Sequence, residues 1–274
     1  MTPATTAVQS PGEVADAAIR LAGHALAFGR IDRTACRHPD GTPESDADHT
    51  VMLGWLAPAL AALTEPGLSP DLVAAFCLVH DAVEVFAGDT PTLVISDQER
   101  AAKAAREHAA ADRWQAELGD TLPWLPSTIA RYEAQDCPEA RFTRAADKIC
   151  PKLLHVLSGA TDLAAYGMTY SALGQVLARQ RADVARYAGE FTGLLALYDE
   201  MATRTLAAMA ATTGGVICPG CRGLAWTCLF CRQEQDPSCG HGVEHTPPGD
   251  GFPGFWRCSE CRAVTANDDS GSGR

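Results

Sequence analysis

Residues 74–92 run Ala74-Ala75-Phe76-Cys77-Leu78-Val79-His80-Asp81-Ala82-Val83-Glu84-Val85-Phe86-Ala87-Gly88-Asp89-Thr90-Pro91-Thr92. An apolar run carries an imidazole and a carboxylate, side by side, towards the interior. Burying both is costly unless each finds a partner. A divalent cation partners both, because imidazole nitrogen and carboxylate oxygen are both suitable ligands. A lone His-Asp pair in a helix is an ordinary structural feature, so the rest of the chain must decide.

Working outward, apolar positions recur at three- and four-residue intervals over most of the chain. Glu13–Phe28, Asp48–Leu63, Pro70–Phe86, Asp97–Leu118, Pro126–Ala134, Glu139–Leu157, Ser171–Leu197 and Tyr198–Ala211 fit helices. β-branched alternation is nearly absent, which makes the fold all-α. Arg30–Ala47 is polar and contains Pro39, Gly41 and Pro43, so it reads as a long loop. Gly88 to Pro91 should end the helix carrying His80, since proline biases its predecessor away from helix.

Further carboxylate and imidazole positions now form an ordered set. His49 heads one apolar helix, and Asp147 lies in the similar phrase Arg144-Ala145-Ala146-Asp147-Lys148-Ile149. The order His49, His80-Asp81, Asp147 on a helical chain resembles the HD-domain phosphohydrolase superfamily. The phrase His80-Asp81-x-x-Glu84-x-x-x-Gly88-Asp89-x-Pro91 resembles more narrowly the bacterial 5′-deoxyribonucleotidases. Glu44-Ser45-Asp46-Ala47-Asp48-His49 is similar to that group's Glu-x-x-x-Glu-His segment, with Asp48 in place of the second Glu. Ile31-Asp32-Arg33 looks like the segment bearing its substrate arginine. The resemblance covers about residues 13 to 200.

What it implies is an all-α HD-domain helical bundle in which His49, His80, Asp81 and Asp147 bind one divalent cation. Mn²⁺, Co²⁺, Fe²⁺ and Zn²⁺ all suit such ligands. Glu84, one turn beyond His80 and so on the same helix face, would act as general base or orient the attacking water. Asp89 would contact the sugar or help protonate the leaving oxygen. Arg33 would clamp phosphate, with Arg30 and Arg37 as competitors, because guanidinium donors match phosphate oxygens bidentately. Lys148 either neutralises phosphate or faces solvent, and Glu44 orders its loop. His24, His38, His108 and His155 lack a spaced partner set and read as ordinary. Cys36, Cys77, Cys137 and Cys150 read as buried thiols.

Composition shifts abruptly at Gly214-Gly215. Seven of the eleven cysteines lie beyond it, in a segment too polar to build its own core. Three Cys-x-x-Cys pairs, Cys218/Cys221, Cys228/Cys231 and Cys258/Cys261, with Cys239, His241 and His245 between them, form a zinc-ligand pattern. One or two structural zinc ions are expected. The pairing is open, because Cys218-Cys221 could join either Cys228-Cys231 or Cys258-Cys261. The resulting division is 13–211 for the HD domain, 215–264 for a small zinc-ribbon-like Cys-rich module, and 265–274 for a disordered tail.

The 274 residues are 46% hydrophobic and 20% charged, with a net charge of −12. That balance argues against a general nucleic-acid binder but not against a small anionic substrate. No window approaches a membrane span, and no secretory start is visible, so a cytoplasmic protein is expected. A nucleotide is the expected substrate. Phosphate release from (deoxy)nucleoside 5′-monophosphates and triphosphate release from deoxynucleoside triphosphates share the metal cage. A silent HD scaffold whose tail binds nucleic acid or protein is the alternative of another class. A homodimer follows from the resemblance alone.

Overall fold

The computed structural model describes residues 10–90 and 96–213, together with five short strands beyond them. In chain order the elements are α1 (Pro11–Phe28), β1 (Asp32–Arg37), β2 (Pro43–Ser45), α2 (Asp46–Thr64), α3 (Pro70–Val79), α4 (Glu84–Ala87), α5 (Asp97–Leu118) and α6 (Trp124–Ala134). They continue as α7 (Pro138–Asp147), α8 (Cys150–Leu157), α9 (Thr161–Ala165), α10 (Tyr170–Ala188) and α11 (Thr192–Thr213). The chain forms two compact units. One holds the chain to Thr34, Pro43–Cys150 and Tyr187–Leu194; the other holds Ala35–Thr42, Pro151–Arg186 and the chain from Leu195.

Helix starts in the first unit follow from capping chemistry. Ser10, Ser45 and Ser96 each accept from a backbone N–H three residues on, and Glu13, Asp48 and Glu99 return the bond. Each box satisfies donors that the first helical turn leaves without partners. The Ser45–Asp48 box matters most, because it fixes the first turn of α2 just ahead of His49. Asp48, the residue standing where the resemblance has Glu, is therefore committed to capping. The apolar faces of α3, α5, α6 and α7 then close on Phe76, Val79, Val83, Trp114, Leu118, Ile129 and Tyr132.

The helix expected over Pro70–Phe86 is interrupted. α3 stops at Val79, and His80 to Val83 form a turn before the single turn of α4. Ala82 N–H donates to Val79 O at 3.0 Å and Glu84 N–H to Asp81 O at 2.9 Å, a tighter winding than an α-helix. The Trp114 indole N–H caps the Ala82 carbonyl at 2.9 Å, so α5 holds the turn in place. Gly88 ends α4 at φ +73°, a left-handed conformation suited to glycine, as the Gly88-Asp89 reading expected. Pro91 lies outside the described residues.

The loop expected over Arg30–Ala47 is instead a small hairpin, since β1 and β2 form a two-stranded sheet. Its turn closes through His38 N–H to Thr42 O at 2.8 Å, with Gly41 at φ +89°. Two long predicted helices are also divided: Glu139–Leu157 breaks at Lys148-Ile149, and the break at residues 189–191 separates α10 from α11.

The second unit contains a buried polar group of its own. His155 Nδ1 lies 2.6 Å from Asp162 Oδ2, while Ser158 Oγ and Leu163 N–H each donate to Asp162 Oδ1 at 2.9 Å. His155 thus has a partner set after all, though a local one. Asp162→Ala strands the buried His155 and Leu163 donors and the half-buried Ser158 hydroxyl, and breaking a buried pair this way costs about 3–5 kcal/mol. Urea denaturation checks this; a loss below about 1 kcal/mol would show the network to be dispensable.

Beyond Thr213, β3 (Gly215–Ile217) pairs antiparallel with β4 (Leu224–Trp226). β5 (Val243–Thr246), β6 (Phe255–Cys258) and β7 (Val264–Ala266) form an antiparallel sheet in the order β5-β6-β7. Between residues 13 and 211 the β1–β2 hairpin is the departure from the all-α expectation among the described residues. Cys218, Cys221, Cys228, Cys231, Cys239, His241 and Cys261 lie outside the described residues. Cys258 closes β6 as backbone. Among the described residues no helix is long and apolar enough to cross a membrane.

Candidate metal centre

Three elements bring His49, His80 and Asp147 together. The capped first turn of α2 supplies His49, the turn after α3 supplies His80, and the last residue of α7 supplies Asp147. All three are buried, and one ligand atom of each lies within 4.8 Å of the others. His49 Nε2 lies 2.9 Å from Asp147 Oδ1. His80 Nδ1 donates to Cys77 O at 2.8 Å. Its Nε2 is buried and turned towards Asp81 Oδ2 at 3.0 Å and Asp147 Oδ1 at 3.9 Å. An imidazole oriented by a backbone carbonyl, with its other nitrogen facing two carboxylates in the interior, suits a metal ligand. The donor set fits a divalent cation.

Asp81 stands beside this group, with Oδ2 3.0 Å from His80 Nε2. It also belongs to a second cluster, in which ligand atoms of Asp46, Asp81 and Glu84 lie within 4.8 Å of one another. Glu84, at the start of α4, follows the turn at residues 80–83 and lies beside Asp46 and Asp81. Its Oε1 is 3.3 Å from Lys103 Nζ on α5.

Arg33, on β1, reaches the same place. Its Nη1 lies 2.7 Å from Asp81 Oδ2 and 3.4 Å from Asp46 Oδ1, and its Nε lies 3.6 Å from Glu44 Oε2. Glu44 also approaches His49 Nδ1 at 3.5 Å, so it orients both side chains, in keeping with an ordering role. Asp89 Oδ2 accepts from Thr34 N–H at 3.2 Å and from its hydroxyl at 3.4 Å, bracing β1 against the end of α4. Lys148, half-buried, pairs through Nζ with Asp147 Oδ2 at 2.7 Å. Cys36, Cys77 and Cys150 are buried thiols, whereas Cys137 is only half-buried.

The electrostatics record a surplus of negative charge. Burial, then the neighbouring Asp81, pushes Asp46 up to about 6. Burial, then Asp81 and Asp46, pushes Glu84 up to about 10. Burial works against the His49 imidazolium, but Asp147 and Glu44 on either side overcome it and raise His49 to about 9. Protons on these groups supply the positive charge that a cation would otherwise bring.

The pH consequence has a definite sign. All three groups have folded pKa values above their ordinary ones, so their contribution is complete at low pH and lost as pH rises. Cation-free protein should therefore melt progressively lower between about pH 6.5 and pH 9, the range over which His49 loses its proton in the unfolded and then the folded chain. A saturating divalent cation should raise the melting temperature more at pH 8.5 than at pH 6, because binding displaces those protons. A cation-free melting temperature that climbs through this window would contradict the arrangement.

The family model for the HD domain matches residues 30–188, more than half of the chain and all of the residues above.

The chain belongs to the HD-domain family.

Within that family it is similar to a 5′-deoxynucleotidase of Pasteurella multocida (strain Pm70), 31% identical over 118 residues. That match covers 39% of this chain and spans 58% of the length of the curated relative. Among solved structures it resembles a predicted metal-dependent phosphohydrolase from Magnetospirillum magnetotacticum MS-1. The two are 25% identical, with a TM-score of 0.54, covering 71% of this HD-domain chain and 98% of the other. A cyanophage S-2L HD phosphohydrolase is a looser match, 18% identical with a TM-score of 0.42, covering 73% of this chain and 98% of that one.

Sequence reasoning passed over two site residues. Asp46 is fully buried at the start of α2. It lies three residues before His49, a spacing that places both on one helix face, so the signal was present. Lys103 sits in the Ala-rich middle of α5, where nothing in the sequence distinguishes it from a solvated helix lysine.

Proposed function

We propose that this HD-domain chain is a metal-dependent phosphohydrolase that releases orthophosphate from (deoxy)nucleoside 5′-monophosphates. The observation carrying this reading is the buried His49–His80–Asp147 cluster, set against Asp81, Glu84 and Arg33. His49, His80, Asp81 and Asp147 would hold one divalent cation. When bound, that ion supplies Lewis-acid screening of the phosphate and a more acidic water.

The chain's own groups do the rest. Glu84, held through Oε1 by Lys103, orients the attacking water or takes its proton. Arg33 brings a guanidinium against Asp81, where it would meet phosphate oxygens as they arrive. Asp89, held through Oδ2 by Thr34 of β1, serves the sugar or the leaving oxygen. Glu44 fixes Arg33 and His49 without touching substrate. The cysteine tail holds one or two structural zinc ions apart from this chemistry.

Product analysis tests the substrate reading. Full-length protein with Mn²⁺ or Co²⁺ is offered nucleoside mono-, di- and triphosphates. Orthophosphate from deoxynucleoside monophosphates is expected. Tripolyphosphate from deoxynucleoside triphosphates would keep the metal centre and overturn the substrate.

A further inference from the structure

We propose that Arg144 is a second phosphate-binding arginine of the metal centre, meeting the substrate's phosphoryl oxygens from α7 while Arg33 meets them from β1. The inference deepens the functional reading and rests on it, because it assigns a further residue to the same substrate.

Arg144 lies three residues before Asp147 on α7, so the two share one helix face. Tyr132 on α6 ties that position to the centre. Its ring meets the His80 ring edge-on, with 6.3 Å between centroids. Its hydroxyl, pushed up by burial and then by Asp147, is pulled back by Arg144. Tyr187 also reaches this turn of α7, donating through its hydroxyl to the Arg144 carbonyl at 3.4 Å.

What sets Arg144 apart is an uncommitted guanidinium. Arg33 holds Glu44, Asp46 and Asp81, Lys103 holds Glu84 and Glu107, and Lys148 holds Asp147. Arg141, one turn earlier on α7, holds Glu190. Arg144 is half-buried, and its side chain makes no hydrogen bond or ion pair among the described residues. Burial works against its charge, yet Tyr132, Glu133, Tyr187 and Asp147 together keep its proton more firmly bound than usual. The surroundings thus favour a cation without occupying its donors.

A charge drawn out of water with no acceptor is costly, and a ligand that supplies acceptors removes that cost. Five N–H donors in a planar fork are open to it, and phosphate oxygens match that fork bidentately. A phosphate dianion arriving at Arg33 competes with three carboxylates already there. At Arg144 it competes with none among the described residues. Arg144 therefore selects for a phosphorylated ligand over the bare nucleoside.

Orthophosphate, the product of the proposed reaction, is the probe. Calorimetric titration of Mn²⁺-loaded full-length protein with orthophosphate, and separately with a deoxynucleoside, reads the two halves of the substrate. Arg144→Gln should weaken orthophosphate at least about tenfold, the loss of one charge-assisted hydrogen bond. Deoxynucleoside affinity and metal content per chain should not change, and KM for a deoxynucleoside 5′-monophosphate should rise by a similar factor. Arg144→Lys keeps the charge and loses the fork, so it should weaken orthophosphate by a smaller factor. It also protects the test if the amide variant fails to fold. Unaltered orthophosphate affinity in both variants would overturn the inference. An equal loss of deoxynucleoside affinity, or a parallel loss of metal, would do so too, by making Arg144 a support for the site's structure. If the unsubstituted protein releases phosphate from monophosphates while Arg144→Gln keeps its KM and orthophosphate affinity, the inference falls and the functional reading stands. Orthophosphate binding weakened in the variants, with no phosphate release from any nucleotide by the unsubstituted protein, would support Arg144 as an anion site and overturn the substrate.

Discussion

Asp147→Ala is expected to lower phosphate release by at least about a thousandfold, together with loss of the metal ion. Asp147 is the only carboxylate whose ligand oxygen groups with both imidazoles among the described residues. It hydrogen-bonds His49 and pairs with Lys148, so its removal leaves two cationic or potentially cationic groups facing each other. Lewis-acid stabilisation of a phosphoryl transition state amounts to several kcal/mol, and about 4 kcal/mol corresponds to about a thousandfold in rate. Asp147→Asn, similar in shape, separates this effect from a folding defect. It should melt near the unsubstituted protein while binding metal poorly. Metal content per chain and orthophosphate release, measured on the same sample, check both. An Ala variant within tenfold of full activity would remove Asp147 from the metal centre.

Glu84→Gln should reduce kcat by about 10²–10⁴, the range for losing a positioned acid–base group, with KM nearly unchanged and the metal retained. Stability should move the other way. Glu84 holds its proton up to about pH 10 because burial and two carboxylates oppose its charge. Its folded pKa lies above the ordinary value, so its contribution to stability declines as pH rises towards 10. A neutral amide escapes that penalty. Cation-free Glu84→Gln should therefore melt higher than the unsubstituted protein at pH 8, and the two should converge near pH 4. Lower activity joined to higher stability marks a residue kept for chemistry. A variant that loses both would mark Glu84 as a packing residue.

The parts of the centre that could be read from sequence were those whose residue types are costly to bury. His80 and Asp81 stood out because an apolar run carried them inward, and His49 and Asp147 because their helices repeated the pattern. Helix positions followed from three- and four-residue periodicity, reinforced by serine caps at Ser10, Ser45 and Ser96. The break at residues 80–83 was not legible. Ala82 and Val83 are acceptable in a helix, and the Ala82 carbonyl meets its partner, the Trp114 indole, thirty-two positions away. Glu84's place beside Asp46 and Asp81 was hidden with it.

The hairpin at β1 and β2 was missed for a related reason. Asp32-Arg33-Thr34-Ala35-Cys36-Arg37 lacks the β-branched alternation that usually marks a strand. Pro39 and Gly41 did mark the turn, and they were read as loop residues. The consequence is functional, because the hairpin carries Arg33 to Asp81 and Thr34 to Asp89. Lys103 had no sequence signal at all; only the packing of α5 on α4 makes it a neighbour of Glu84.

The most direct test of the central claim is a metal titration of stripped full-length protein, with orthophosphate release from a deoxynucleoside 5′-monophosphate measured at each step beside Asp81→Ala. Activity should be absent without metal and rise as Co²⁺ or Mn²⁺ fills the site. Asp81→Ala should stay silent throughout. Phosphate release that is indifferent to metal, or undiminished in Asp81→Ala, would contradict a hydrolytic centre built on these residues.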